Sequence, residues 1–200
     1  MTLKEKTEKL RVIKNELLGL EKSPLFSFRQ ANNFFPVIGE GNHEAKIMFV
    51  GEAPGRNEAK TGRPFCGAAG KILDDLLTGV GINRAEVYVT NIIKDRPPQN
   101  RDPLPEEIAC YGPFLDRQIE IIEPRVIATL GRFSMRYILE KFAVPEALKS
   151  ISELHGKIFS VQAPYGPIVV IPFYHPAAAI YNRALIDDLK KDFAILKNYR

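Results

Sequence analysis

The stretch Lys46-Ile-Met-Phe-Val-Gly-Glu-Ala-Pro-Gly55 changes character at its midpoint. Its first half is short, apolar and without alternation, as in a parallel strand buried on both faces. Gly51 stops the run, and Pro54 and Gly55 turn the chain. Downstream, Ile72, Leu73, Leu76 and Leu77 fall on one side of a helix over about 68–77, which packs back on that strand. A second strand is expected over Val87–Asn91, before Pro97 and Pro98 forbid regular structure. From Pro103–Pro105 a helix begins, with Glu106 and Glu107 in its first turn, and runs to about Glu123. Arg125–Leu130 reads as a third strand halted by Gly131, followed by a helix through Leu139. Ile168–Phe173 reads as a fourth, ended by Tyr174-His-Pro. Upstream, Leu10, Val12, Ile13, Leu17, Leu18 and Leu20 recur at roughly helical spacing and mark an amphipathic helix over 3–20. Strands alternating with helices predict right-handed crossovers, hence a three-layer α/β/α fold with a central, mostly parallel four-stranded sheet.

With 200 residues and 45% hydrophobic content, one compact domain over 1–200 is expected. There is no repeat, low-complexity tract or linker. No apolar run approaches the roughly 18 residues of a membrane helix, so a cytoplasmic monomer with no membrane partner is expected. Two cysteines, Cys66 and Cys110, are too few for a disulfide framework and too far apart in sequence for a zinc or redox motif. The formal charge of +4 permits an anionic partner without requiring one. Arg56, Lys60, Arg63 and Lys71 crowd one segment and Lys94, Arg96 and Arg101 another. Each is a solvated face or a surface for nucleic acid.

In open α/β sheets, ligands bind beyond the carboxyl ends of the strands. Three segments therefore belong around one crevice: Gly51–Gly55 after the first strand, Asn91 ending the second, and His175–Ala179 after the fourth. A phosphate-cradling turn is the alternative for Gly51–Gly55, although the Gly-Lys-Ser/Thr ending of a nucleotide loop is missing.

The chain is similar, over most of its length, to the uracil-DNA glycosylase superfamily and most closely to its family four. GEAPGRNEAKTGRPFCGAAGKILDDLL resembles that family's first motif and following helix, VYVTNIIKDRPPQNRDPLPEE its central block, and YHPAAAIY its second motif. The resemblance implies a monofunctional hydrolase for uracil-containing DNA that cuts the glycosidic bond without metal chemistry and leaves an abasic site, with no lysine nucleophile for strand cleavage. Phe65 matches the aromatic that stacks on the flipped base. Asn91 matches the amide that accepts from uracil N3–H and donates to O4, a pattern cytosine reverses. His175 matches the donor at uracil O2, where negative charge gathers as the glycosidic bond breaks. Glu52 matches the carboxylate near the cationic sugar, giving electrostatic help and water placement. Ala53 occupies the position where other families carry an acid. Gly51, Ala53, Pro54 and Gly55 supply the pocket wall. Arg56, Arg63, Lys94, Arg96, Arg101, Tyr181 and Arg183 are the expected DNA contacts, the last two in a segment that presses into the duplex. The alternatives are that Phe65 is an ordinary core residue, that Asn91 caps a turn and that Glu52 serves a helix dipole or bonds local backbone. His43 and His155 are read as structural.

Family four commonly holds an iron–sulfur cluster on four cysteines. Their positions match Leu20, Ser23, Asp95 and Cys110, so one thiol remains and no cluster or other cofactor is expected. Packing by Leu20, Leu25 and Phe26 is expected to fill the space, with Asp95 paired to an arginine. Residues 97–103 contain no histidine for covalent capture of DNA. A non-catalytic module binding uracil or single-stranded DNA on the same fold is the alternative, as is another small-molecule enzyme.

Overall fold

The computed structural model describes residues 1–199. Six strands, β1 (Glu40–Gly41), β2 (Ile47–Gly51), β3 (Tyr88–Asn91), β4 (Val126–Leu130), β5 (Phe159–Ala163) and β6 (Gly166–Phe173), form a sheet in the order β1-β3-β2-β4-β6-β5. The four inner strands are those expected from the sequence, and they run parallel. The sheet is nevertheless six-stranded, because β1 pairs antiparallel with β3 and β5 antiparallel with β6. β1 is too short to leave a pattern. Phe159, Val161 and Ala163 do alternate with polar residues, the signature of a half-covered edge strand. A tight turn at Pro164-Tyr165, closed by Gly166 at φ 136°, folds β5 onto β6.

Helices α1 (Leu3–Leu18), α2 (Phe26–Ala31), α3 (Arg56–Thr61), α4 (Ala68–Gly79), α5 (Pro105–Ile122), α6 (Arg132–Lys141), α7 (Ile151–Leu154), α8 (Ala178–Tyr181) and α9 (Leu185–Phe193) surround the sheet. Strand side chains alternate between faces. Met48 and Val50 pack with Leu10, Leu115 and Ile138 of α1, α5 and α6. Ile47 and Phe49 pack with Leu73 of α4 and Phe193 of α9. The chain therefore leaves β2 toward one face and β4 toward the other. Neighbouring loops diverge at that switch, and a crevice opens above the β2 and β4 carboxyl ends.

A buried polar network ties α1, α2, α5 and the segment after β3. Leu20 and Leu25 are buried as expected, with Phe26 partly so. The arginine that Asp95 finds is Arg29, at 3.0 Å, and both side chains are inaccessible. Tyr111 donates its hydroxyl hydrogen to Asp95 at 2.6 Å and is also hydrogen-bonded to Ser23. Arg29 donates to the carbonyls of Leu17 and Leu18, each at 2.9 Å, so it caps the end of α1. Its guanidinium lies 5.0 Å from the Phe26 ring centre.

Candidate active site

The crevice encloses about 780 Å³, enough for a flipped nucleotide. Its lining unites Glu52, Phe65, Asn91 and His175 from three strand ends and the α3–α4 loop, with Ala53, Pro54 and Gly55 in the wall. The β2–β3 ladder continues past both strands, since Ile92 N–H donates to the Gly51 carbonyl at 3.1 Å and Ile93 N–H to that of Glu52 at 3.0 Å. Glu52 and Asn91 are thus held in one hydrogen-bonded frame.

Asn91 is 1% exposed, and its Oδ1 has no hydrogen-bond partner among the described residues. A buried acceptor left unpaired costs on the order of 1–3 kcal/mol. Such an acceptor calls for a donor from outside the chain, a water or a bound molecule. Gly51 backs the pocket: a Cβ there would stand 2.2 Å from Asn91 Oδ1 and 2.8 Å from the Phe65 ring. Phe65 itself adopts φ 49°, a left-handed conformation that costs a non-glycine residue about 1 kcal/mol or more. Arg84 holds the turn by donating to the Pro64 carbonyl at 2.8 Å while pairing with Asp74. Gly70 lets α4 approach, because a Cβ there would lie 1.8 Å from the Phe65 carbonyl oxygen.

The His175 ring stacks on Phe65 with centroids 5.6 Å apart. Ala177 N–H donates to His175 Nδ1 at 3.1 Å. That bond makes Nδ1 an acceptor, so Nε2 carries the hydrogen and serves as a donor. Burial pushes the His175 pKa down to about 4, which keeps the imidazole neutral near pH 7. A Cβ on Gly131, whose φ is 99°, would stand 3.2 Å from the His175 Cβ, so glycine leaves room for the ring beside the end of β4.

Glu52 is half-buried, and its pKa is pushed up to about 7, chiefly by burial and further by the Asp102 carboxylate, while Arg132 opposes. Asp102 and Arg132 pair at 2.5 Å on the crevice rim. Neither they nor Glu58, which accepts from Gly67 N–H at 3.2 Å, were singled out from sequence. The Arg-Asp-Pro turn at 101–103 and the Gly131-Arg132 start of α6 were the available signals.

Of the expected DNA contacts, Arg56, Arg101 and Tyr181 line the crevice; Tyr181 is 90% exposed. Arg101 also pairs with buried Glu107 at 2.6 Å. Arg63 lies outside the lining, paired with Glu40, as do Arg96, hydrogen-bonded to Asn100, and exposed Arg183. Lys94, expected among the DNA contacts, is instead 0% exposed and cannot reach a phosphate. The chain after Asn91 runs inward through Ile92 and Ile93, both fully buried, and carries Lys94 with it.

This frame, with an unpaired acceptor, a neutral imidazole donor, an aromatic floor and a half-buried carboxylate, suits recognition and release of a planar heterocycle. The chain belongs to the uracil-DNA glycosylase superfamily, whose family model matches residues 38–197. It is 48% identical to a type-4 uracil-DNA glycosylase of Sulfurisphaera tokodaii over 93% of this chain and 82% of that one. Identity is 43% to the type-4 enzyme of Archaeoglobus fulgidus, over 93% and 90%. A type-5 enzyme of Thermus thermophilus shares 33%, over 54% and 56%.

Proposed function

We propose that the protein is a monofunctional uracil-DNA glycosylase that hydrolyses the N-glycosidic bond of flipped-out uracil, acting as a cytoplasmic monomer in base excision repair. The observation that carries this reading is the unpaired Asn91 Oδ1 in the same crevice as the His175 Nε2 donor. The flipped base stacks on Phe65, and Asn91 accepts from N3–H and donates to O4. Cytosine offers an acceptor and a donor at those positions and is refused. As the bond to the sugar breaks, His175 Nε2–H stabilises the charge gathering on O2. Glu52, as a carboxylate, faces the oxocarbenium-like sugar and orients the water that completes hydrolysis. Arg56 and Arg101 meet phosphates, and Tyr181 presses into the space the base has left.

Incubation with a uracil-containing oligonucleotide should give alkali-labile sites at uracil and none at cytosine or thymine. Binding without such sites would identify a non-catalytic module instead. Glu52→Gln should lower turnover while leaving affinity for uracil-DNA largely intact. In the wild type, turnover should rise as pH increases through about 7, because Glu52 acts ionised, and this limb should flatten in Glu52→Gln. A pH profile unchanged by the substitution would count against the role of Glu52.

We propose further that the protein holds no iron–sulfur cluster. Leu20, Ser23, Asp95 and Cys110 do not fit one: a single thiol is present, Asp95 is engaged by Arg29 and Tyr111, and Ser23 by Tyr111. Stoichiometric iron, with the visible absorbance of a cluster in freshly purified protein, would overturn this.

A further inference from the structure

Lys94 is fully buried, yet its partners are all uncharged oxygens. Its Nζ donates to the Asn91 carbonyl at 2.6 Å, to Gln118 Oε1 at 2.6 Å and to Thr90 Oγ1 at 2.8 Å, with the Ile38 carbonyl at 3.4 Å. Thr90 and Gln118 both donate to that same Ile38 carbonyl, each at 2.8 Å. The cage therefore joins α5, the segment before β1 and the end of β3 at one nitrogen. Only one of its bonds falls on a residue of the crevice. β1 pairs with β3 only as far as Val89, so past that point no strand among the described residues covers the outer edge of β3. The Lys94 side chain, three residues on, takes up the Asn91 carbonyl there. Burial lowers the pKa of this amine. In either protonation state it keeps at least two protons, sufficient for the two bonds of 2.6 Å.

We infer that Lys94 is a positioning residue for base selection, holding the Asn91 main chain so that the Asn91 carboxamide keeps its place in the crevice lining. The inference rests on Asn91 reading the base, as proposed above. The carboxamide has no hydrogen bond of its own within the protein among the described residues, so its aim depends on the backbone that carries it. On one side that backbone is fixed by the Gly51 ladder, and on the other by Lys94.

The test compares Lys94→Met with Gln118→Met in the full-length protein, at a temperature where both are folded. Gln118→Met removes another bond of the same cage but leaves the one to the Asn91 carbonyl. Lys94→Met should lower kcat on a uracil oligonucleotide about 10–100-fold, with KM within about threefold, since a misplacement near 1 Å costs on the order of 10²-fold. Its preference for uracil over cytosine should narrow. Gln118→Met should keep kcat within about threefold, even with a lower Tm. Lys94→Gln, whose amide retains a donor, should recover part of the loss. Wild-type kcat and selectivity in Lys94→Met, or parallel kcat losses in Lys94→Met and Gln118→Met, would overturn the inference. So would failure of both Lys94 variants to fold, which would assign the residue to stability. Asn91→Ala separates the two levels: full uracil turnover there defeats the reading of Asn91 itself, whereas lost turnover beside an unaffected Lys94→Met defeats only the role of Lys94.

Discussion

Replacing His175 with alanine should lower single-turnover excision of uracil by about 10²–10³-fold, the loss expected when one preorganised donor to a developing oxyanion is removed. The imidazole is fixed by three features: the stack on Phe65, the Ala177 N–H bond to Nδ1, and the close approach of Gly131. Its contribution needs no protonation, because burial keeps the ring neutral down to about pH 4. Affinity for uracil-DNA should change far less than the rate, because the bond strengthens only as charge reaches O2. A loss below about tenfold would remove His175 from the centre of the chemistry. The same burial affects stability. The folded pKa of about 4 lies below the ordinary 6.5, so the folded state resists a proton that the unfolded chain accepts. Stability is therefore lost as pH falls from about 6.5 toward 4, and His175→Ala should blunt that part of an acid unfolding curve.

Asp95→Ala should destabilise the protein by about 3–5 kcal/mol, because it leaves the Arg29 guanidinium buried without its counterion. For a chain of this size that corresponds to a fall in Tm of roughly 6–20 °C. Arg29 would keep the Leu17 and Leu18 carbonyls, and Tyr111 would keep Ser23, so local order should survive in part. Arg29→Met combined with Asp95→Leu should recover much of the loss, since well-packed apolar replacements of a buried pair are often neutral. Differential scanning calorimetry of the single and double variants decides this. An unchanged Tm in Asp95→Ala would mean that apolar packing by Leu20 and Leu25 alone holds α1 and α2 to the sheet.

The inner sheet was legible because β2, β3, β4 and β6 are each short apolar runs closed by a glycine or a polar residue, and the strand-end rule then gathered Glu52, Asn91 and His175. β1 was hidden by its two-residue length. β5 did carry an alternating signal, in a segment where strand five has no following helix to announce it. Among the site residues, Lys94 misled: a lysine in a loop reads as solvated, and only the inward path of Ile92 and Ile93 explains its burial. Asp102 and Arg132 were missed because they meet only in space, thirty positions apart. Gly70 was missed because its role is to leave room for the Phe65 backbone, which no side-chain pattern reports.

The hydrogen bonds that extend the β2–β3 ladder through Ile92 and Ile93 place the Glu52 and Asn91 backbones in a single rigid unit. With Asn91 reading the base and Glu52 serving the sugar, as proposed, recognition and bond cleavage cannot be tuned by separate hinges. A substitution that reshapes the slot for a different damaged base by moving the Asn91 main chain will also displace the carboxylate, so altered substrate range and slower chemistry should arrive together in evolved variants. Broader tolerance without that penalty is left to changes at side chains whose backbone stays put and that do not brace the imidazole, as Phe65 does.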